Sequence, residues 1–221
     1  MMDFARARRT MVDTQIRVND VTDTRIVDAL MAVPREDFVP EALRPLAYLD
    51  DDLAVKGEGG SRGARYLVEP VVLARMIQAA GIGAGDRVLD IGTATGYSSA
   101  VLARIAGSVV AVEEDGDLAA RARTALGSDS RVALVEGTLG AGAAAQGPYD
   151  VILLEGAVEV VPQGLLGQLN EGGRLVAVVG TGRAAKCMVH VRIGEEFSVR
   201  PAFDAAIPLL PGFERPRGFV F

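Results

Sequence analysis

Ten consecutive residues, Arg87-Val88-Leu89-Asp90-Ile91-Gly92-Thr93-Ala94-Thr95-Gly96, constrain this chain more than any other segment. They run an apolar stretch through a single acid into a glycine turn. Val88, Leu89 and Ile91 suit a strand covered on both faces. Gly92 and Gly96 let the backbone turn sharply and approach a ligand with no Cβ in the way. Tyr97 to Ile105 then reads as a helix, with Val101, Leu102 and Ile105 on one face. Strand, tight turn and helix in that order form the place where α/β folds hold nucleotide-like ligands, although the same order also serves as a plain connection.

Two cofactor classes use such a turn. A dinucleotide favours glycine at the second position of G-x-G-x-x-G, so that the backbone can come close to the pyrophosphate. Ala94 stands there instead, and Asp90 at the strand end would repel a diphosphate. A cationic ligand gains from that carboxylate. S-adenosylmethionine, with a sulfonium, an ammonium and no phosphate, fits the pattern, whereas a nicotinamide cofactor is disfavoured. The next apolar run, Val109 to Val112, ends in Glu113, where a carboxylate can hold ribose hydroxyls. The candidate cofactor-binding set around the turn is therefore Asp90, Gly92, Thr93, Ala94, Gly96, Tyr97 and Glu113.

From Asp86 onward strand and helix patterns alternate. Strands are expected at 87–91, 109–113, 131–135, 150–154 and 173–180, with helices at 97–106, 116–126 and 162–170. Such alternation implies right-handed crossovers and a parallel sheet. Two further strands, near 186–193 and 216–221, complete an edge by hairpin. The expected class is α/β, a doubly wound, mostly parallel seven-stranded sheet of Rossmann-like type with an N-terminal helical extension. In that extension helices are expected at 11–18 and 22–31, the second capped by Thr22 or Asp20, and at 70–80 with Pro70 in the first turn. Residues 54–65, with four glycines and mixed charge, suit an exposed loop. The 221 residues are read as one domain, 1–80 packing on a core of 86–221.

A net charge of -6 argues against nucleic acid as the main partner. Arg6, Arg8 and Arg9 have helical spacing and read as a solvated face. With one cysteine, Cys187, and one histidine, His190, neither a disulfide framework nor a His- or Cys-rich metal site is available; no metal is expected. His190 reads as a strand residue. No uncharged apolar run approaches the ~18 residues that span a bilayer. The expectation is a cytoplasmic protein with no membrane partner.

Several stretches outside the turn resemble the protein-L-isoaspartate O-methyltransferases. They are Met11-Val12 with Gln15-Ile16, then Val33 to Pro40, Ala47-Tyr48 and Asp50, then Pro148-Tyr149-Asp150, Pro162, Gln168-Leu169, Gly172 to Val176 and Val179-Gly180. The resemblance implies a class I methyltransferase fold. It also implies transfer of a methyl group from S-adenosylmethionine to the α-carboxylate of isoaspartyl residues in damaged peptides and proteins. A carboxylate of pKa about 4 is ionised at neutral pH, so no histidine base is required. No single catalytic residue is singled out.

The chain departs from the family's pattern in three places. The family's Thr-x-Ser-Gln-Pro segment falls on Tyr66, Leu67, Val68, Glu69 and Pro70, which puts Val68 and Glu69 on the substrate side without hydroxyl or amide. A Gly-Asp-Gly signature becomes Gly137-Thr138-Leu139, leaving Gly137 and Thr138 near the adenine without the carboxylate. Thr-Ala-Ala becomes Glu155-Gly156-Ala157, adding Glu155 to the substrate side. These changes leave two alternatives beside isoaspartyl repair: a non-catalytic S-adenosylmethionine-binding paralogue, or a methyltransferase for a different carboxylate acceptor.

Overall fold

The computed structural model describes residues 2–57 and 63–215. Helix α1 (Phe4–Met11) opens at Asp3, whose carboxylate accepts the Arg6 N–H at 3.0 Å. The chain then passes through a wide turn, Val12–Ile16, and a tight one, Arg17–Asn19, where the apolar pattern predicts a helix at 11–18. Helix α2 (Thr24–Ala32) is capped by Asp23, not by Thr22 or Asp20. Asp20 instead ends the preceding turn at φ 62°. Arg8 also differs from expectation. Its guanidinium turns inward, donating to the Tyr48 hydroxyl at 2.8 Å, the Met31 carbonyl at 3.1 Å and Glu36 at 3.1 Å.

Of the stretch 54–65, read from the sequence as an exposed loop, residues 58–62 lie outside the described residues, and the parts on either side of them pair. Strands β1 (Leu53–Lys56) and β2 (Arg65–Leu67) pair antiparallel, with Leu53, Val55, Arg65 and Leu67 buried. Helix α3 (Pro70–Ala80) starts on proline, and the acids before it answer amides at its start: Asp52 accepts Glu69 N–H at 2.9 Å and Asp50 accepts Val71 N–H at 3.2 Å. Its last carbonyls are met by Arg174, which donates to the Ala80 and Gly81 carbonyls and pairs with Asp86 at 2.6 Å.

The core alternates β3 (Arg87–Ile91), α4 (Tyr97–Leu102), β4 (Ser108–Glu113), α5 (Gly116–Leu126), β5 (Val132–Glu136), β6 (Tyr149–Val158), α6 (Gln163–Leu166), β7 (Leu169–Val179), β8 (Lys186–Ile193) and β9 (Glu196–Asp204). The seven strands form one sheet in the order β5-β4-β3-β6-β7-β8-β9. The first five in that order are parallel, and β8 and β9 are antiparallel. The doubly wound, mostly parallel seven-stranded sheet read from the sequence is what the chain forms. Among the described residues its last strand is 196–204. The stretch near 216–221 lies outside the described residues. Gly194, at φ 63°, allows the tight turn that puts Glu196 opposite Ile193. Helix α6 is shorter than 162–170 because Leu169 already pairs with Tyr149 in the ladder.

Alternate side chains divide the core with the period of two that a pleated strand dictates. Val88, Val109, Val151 and Val176 pack toward α3, α4 and the N-terminal helices. Leu89, Val110, Ile152 and Leu175 pack on the other face with Leu139, Leu165 and Leu166. Strand order reverses between β3 and β6, so a crevice opens beyond their carboxyl ends. No described helix is long and apolar enough to cross a membrane.

Candidate active site

The turn after β3 needs unusual backbone angles. Gly92 and Gly96 sit at φ 81° and 96°, and Ala94, which carries a Cβ, is held at φ 52°. That left-handed angle is uncommon outside glycine. Here a hydrogen bond fixes it, since Ala94 N–H donates to Glu113 Oε2 at 2.8 Å. Asp90 shares the face of Val88 and is fully buried. Its Oδ2 accepts Ser98 Oγ at 2.7 Å and also Ser99 Oγ, while Thr93 Oγ1 lies 2.8 Å from Ser99 Oγ. The other oxygen, Oδ1, has no partner.

A second acid reaches the crevice from β6. The ladder with β7 pairs Leu153 with Val176 but next pairs Ala157 with Val178, so 154–156 form a bulge. Bulges of this kind re-aim side chains at the ends of strands. Glu155 sits in it, buried, with Oε1 unpartnered. Burial pushes Asp90 up to about 6, and burial together with the Asp90 carboxylate pushes Glu155 well above the usual carboxylate range. Two acids in so dry a space do not both ionise readily.

Arg35 completes this wall. It is fully buried, donates from Nη2 to the Val68 carbonyl at 2.9 Å and lies 4.7 Å over the Tyr97 ring. Its Nε and Nη1 are unpartnered, as is the Tyr97 hydroxyl. Burial pulls its pKa down, and Tyr97, Asp52 and Glu155 oppose that shift. Tyr97 also packs edge-on to Phe38 at 5.6 Å.

Glu113, at the end of β4, is the most heavily engaged acid of the site. Arg65 from β2 binds it through both nitrogens, Nη1 to Oε1 at 2.7 Å and Nη2 to Oε2 at 3.0 Å, with both side chains buried. The amides of Glu114 and Asp115 add donations at 3.0 Å each. Gly137 meets the same strand end, its N–H donating to the Glu113 carbonyl at 3.1 Å, and Thr138 beside it is exposed. Val68 is buried and joins the crevice wall. Glu69 is half-buried at the start of α3, and burial with Asp52, Asp50 and Asp51 nearby pushes it up to about 7.

A family model described as protein-L-isoaspartate(D-aspartate) O-methyltransferase (PCMT) matches residues 6–206. This chain belongs to that family. A protein-L-isoaspartate O-methyltransferase of Methylorubrum extorquens (strain PA1) is 42% identical over 181 residues, covering 80% of this chain and 76% of the relative. One from Rhodopseudomonas palustris (strain ATCC BAA-98 / CGA009) is 38% identical over 93% of this chain and 95% of its own length. Among solved structures, a protein-L-isoaspartate O-methyltransferase superposes with a TM-score of 0.80 at 24% identity, over 93% of this chain and 66% of that one, which establishes likeness of fold.

The residues that family membership brings forward fit S-adenosylmethionine in chemistry. The buried Asp90 carboxylate, with Oδ1 unanswered, suits a ligand bearing positive charge, and the unanswered Glu155 Oε1 offers a further polar contact. The space is another matter. The crevice lined by Arg35, Val68, Gly92, Thr93, Tyr97 and Glu155 retains about 10 Å³. Small-molecule sites usually enclose ~300–1,000 Å³. A larger concavity of about 550 Å³ lies between residues 37–41 and α5, but none of Asp90, Glu113 and Glu155 lines it. Sequence reading missed both arginines of the site. Arg35 was visible within Val33 to Pro40, among the family-like stretches, and Arg65 carried no such signal.

Proposed function

We propose that this protein is an S-adenosylmethionine-dependent O-methyltransferase that acts on the α-carboxylate of isoaspartyl residues in damaged peptides and proteins. The reading rests on one coincidence. The chain matches the family over residues 6–206, and the acid-bearing turn Asp90 to Gly96 stands where strand order reverses. Asp90, Gly92, Thr93, Ala94, Gly96, Tyr97 and Glu113 form the cofactor cradle, with Gly137 and Thr138 at its rim. Val68, Glu69 and Glu155 border the acceptor side. When bound, the cofactor supplies an activated methyl group on a sulfonium.

The protein's own work is alignment. The acceptor is already ionised, so these residues need only hold oxygen in line with the donor, and such positioning supplies several kcal/mol, up to ~7–11 in model reactions. Glu155 would repel an anionic acceptor if charged. Burial and the neighbouring Asp90 carboxylate favour its neutral form, and the buried Arg35 guanidinium gives that wall a positive charge. A single buried cysteine and a net charge of -6 support a cytoplasmic setting without nucleic acid as partner.

Two measurements test the assignment. Calorimetric titration should show heat of binding with S-adenosylhomocysteine and none with NAD. A radiolabelled methyl assay should label an isoaspartyl peptide and not its normal aspartyl isomer. Binding of NAD alone, or equal labelling of both peptides, would overturn the reading.

A further inference from the structure

We infer that the closed crevice is a self-occluded state, in which Arg65 and Leu210 stand where the cofactor's nucleoside binds, so that loading breaks the Arg65–Glu113 pair and lifts residues 205–213. The inference builds on the function proposed above.

Glu113 shows the occlusion in its hydrogen bonding. An ionised carboxylate accepts in roughly four lone-pair directions. This one already receives five N–H donors, two from Arg65 and one each from Ala94, Glu114 and Asp115. No acceptor position remains for a ribose hydroxyl. The same guanidinium donates from Nη2 to the Gly92 carbonyl at 3.0 Å and so lies across the turn.

Leu210 fills the adjoining space. A Cβ built on Gly92 would meet Leu210 Cδ1 at 2.8 Å and Arg65 Nη2 at 3.2 Å. The side of the turn that glycine leaves bare is therefore covered by these two side chains. Leu210 is seated by backbone bonds to the bulged end of β6. Its N–H donates to the Ala157 carbonyl at 2.8 Å, and Ala157 N–H donates to Pro208 at 2.9 Å. Gly156 makes this seat possible, because its own missing Cβ would fall 2.9 Å from Leu210 Cβ.

Both parts can leave without wrecking the fold. Glu113 without Arg65 still has three backbone N–H donors, so its charge stays bonded. Arg65 rides on a two-stranded hairpin outside the main sheet, and such small elements open more easily than core strands. The departures from the family pattern flank this device. Arg65 directly precedes the altered segment 66–70, and Gly156 lies in the altered segment 155–157.

A closed conformer lowers apparent affinity in proportion to the open fraction. Calorimetry with S-adenosylhomocysteine on the parent, Arg65→Gln and Leu210→Ala is the test. Each variant should bind about tenfold more tightly, about 1.4 kcal/mol. Hydrogen exchange on the parent gives a readout free of any substitution: the Leu210 and Ala157 amides should exchange faster when ligand saturates the site. Should Arg65→Gln fail to fold, Leu210→Ala and the exchange experiment carry the same expectation. If the parent binds and the variants bind equally or more weakly, or if those amides become more protected, the occlusion is wrong while the proposed function stands. If parent and variants all fail to bind, both fall.

Discussion

Gly156→Ala restores a side chain that the family carries and sets it against the backbone of the 205–213 segment. The added Cβ would lie 2.9 Å from Leu210 Cβ, 3.2 Å from its nitrogen and 3.3 Å from its Cα. No rotamer change relieves contacts with main chain, so the segment must shift or lift. Forcing a methyl into a packed site costs about 1–3 kcal/mol. Lifting instead exposes the Leu210 side chain, which forfeits about 1.5–3 kcal/mol. Gly156 is not among the residues at positive φ, so alanine fits its backbone, and lower entropy of the unfolded chain returns about 0.4–1 kcal/mol. The net loss is about 1–2 kcal/mol. In a chain of this size each kcal/mol moves Tm by about 2–4 °C, giving a fall of about 2–8 °C by scanning calorimetry. A variant melting at or above the parent's Tm would refute the packing argument.

Glu69→Gln should raise stability above neutrality and leave it little changed at pH 5. The folded chain raises this acid from 4.5 to about 7, so it binds its proton more tightly when folded. Stability therefore falls as pH rises through that window, and glutamine removes the fall. Denaturant melts at pH 5 and pH 8 decide it, and a gap independent of pH would sink the account. Combining Val68→Ser with Glu69→Gln restores the hydroxyl and amide of the family's segment. Methylation of an isoaspartyl peptide should rise several-fold, and no rise would place the acceptor contacts elsewhere.

The sheet was legible because its central strands are apolar runs ended by acids and glycines, as in Val88 to Gly92 and Val109 to Glu113. Strand β9 was not, since most of its residues are exposed and carry no alternation. The β1–β2 hairpin was hidden for a different reason. Its buried residues include an arginine, and burial of Arg65 makes sense only beside Glu113, 48 positions away. Periodicity cannot report a pairing of that span. Glu113 itself was readable as an acid at a strand end, while the group that answers it was not. Several family-like residues serve the scaffold: Gln15 donates to the Tyr48 carbonyl at 3.1 Å, Gln168 bonds the 141–143 turn, and Asp150 accepts the Arg87 N–H at 2.8 Å.

Charge gives the occluded crevice a further consequence. It holds three acids, Asp90, Glu113 and Glu155, against two guanidiniums, Arg35 and Arg65. Burial favours the neutral form of Glu155, and the two other acids then face two guanidiniums. Removing Arg65 leaves an excess of negative charge in a space where water is scarce and Coulomb terms are large. S-adenosylmethionine carries a net positive charge and restores the balance that the guanidinium provided. Its demethylated product is net neutral and does not, so the vacated site favours donor over product. The methylated form should therefore bind more tightly than S-adenosylhomocysteine to the parent, and because Arg65 has left both complexes, Arg65→Gln should tighten both ligands by the same factor and leave that preference unchanged. Parallel calorimetric titrations with the donor and its product measure both. A preference that widens in Arg65→Gln would mean that the guanidinium stays beside the bound ligand, which would refute its displacement.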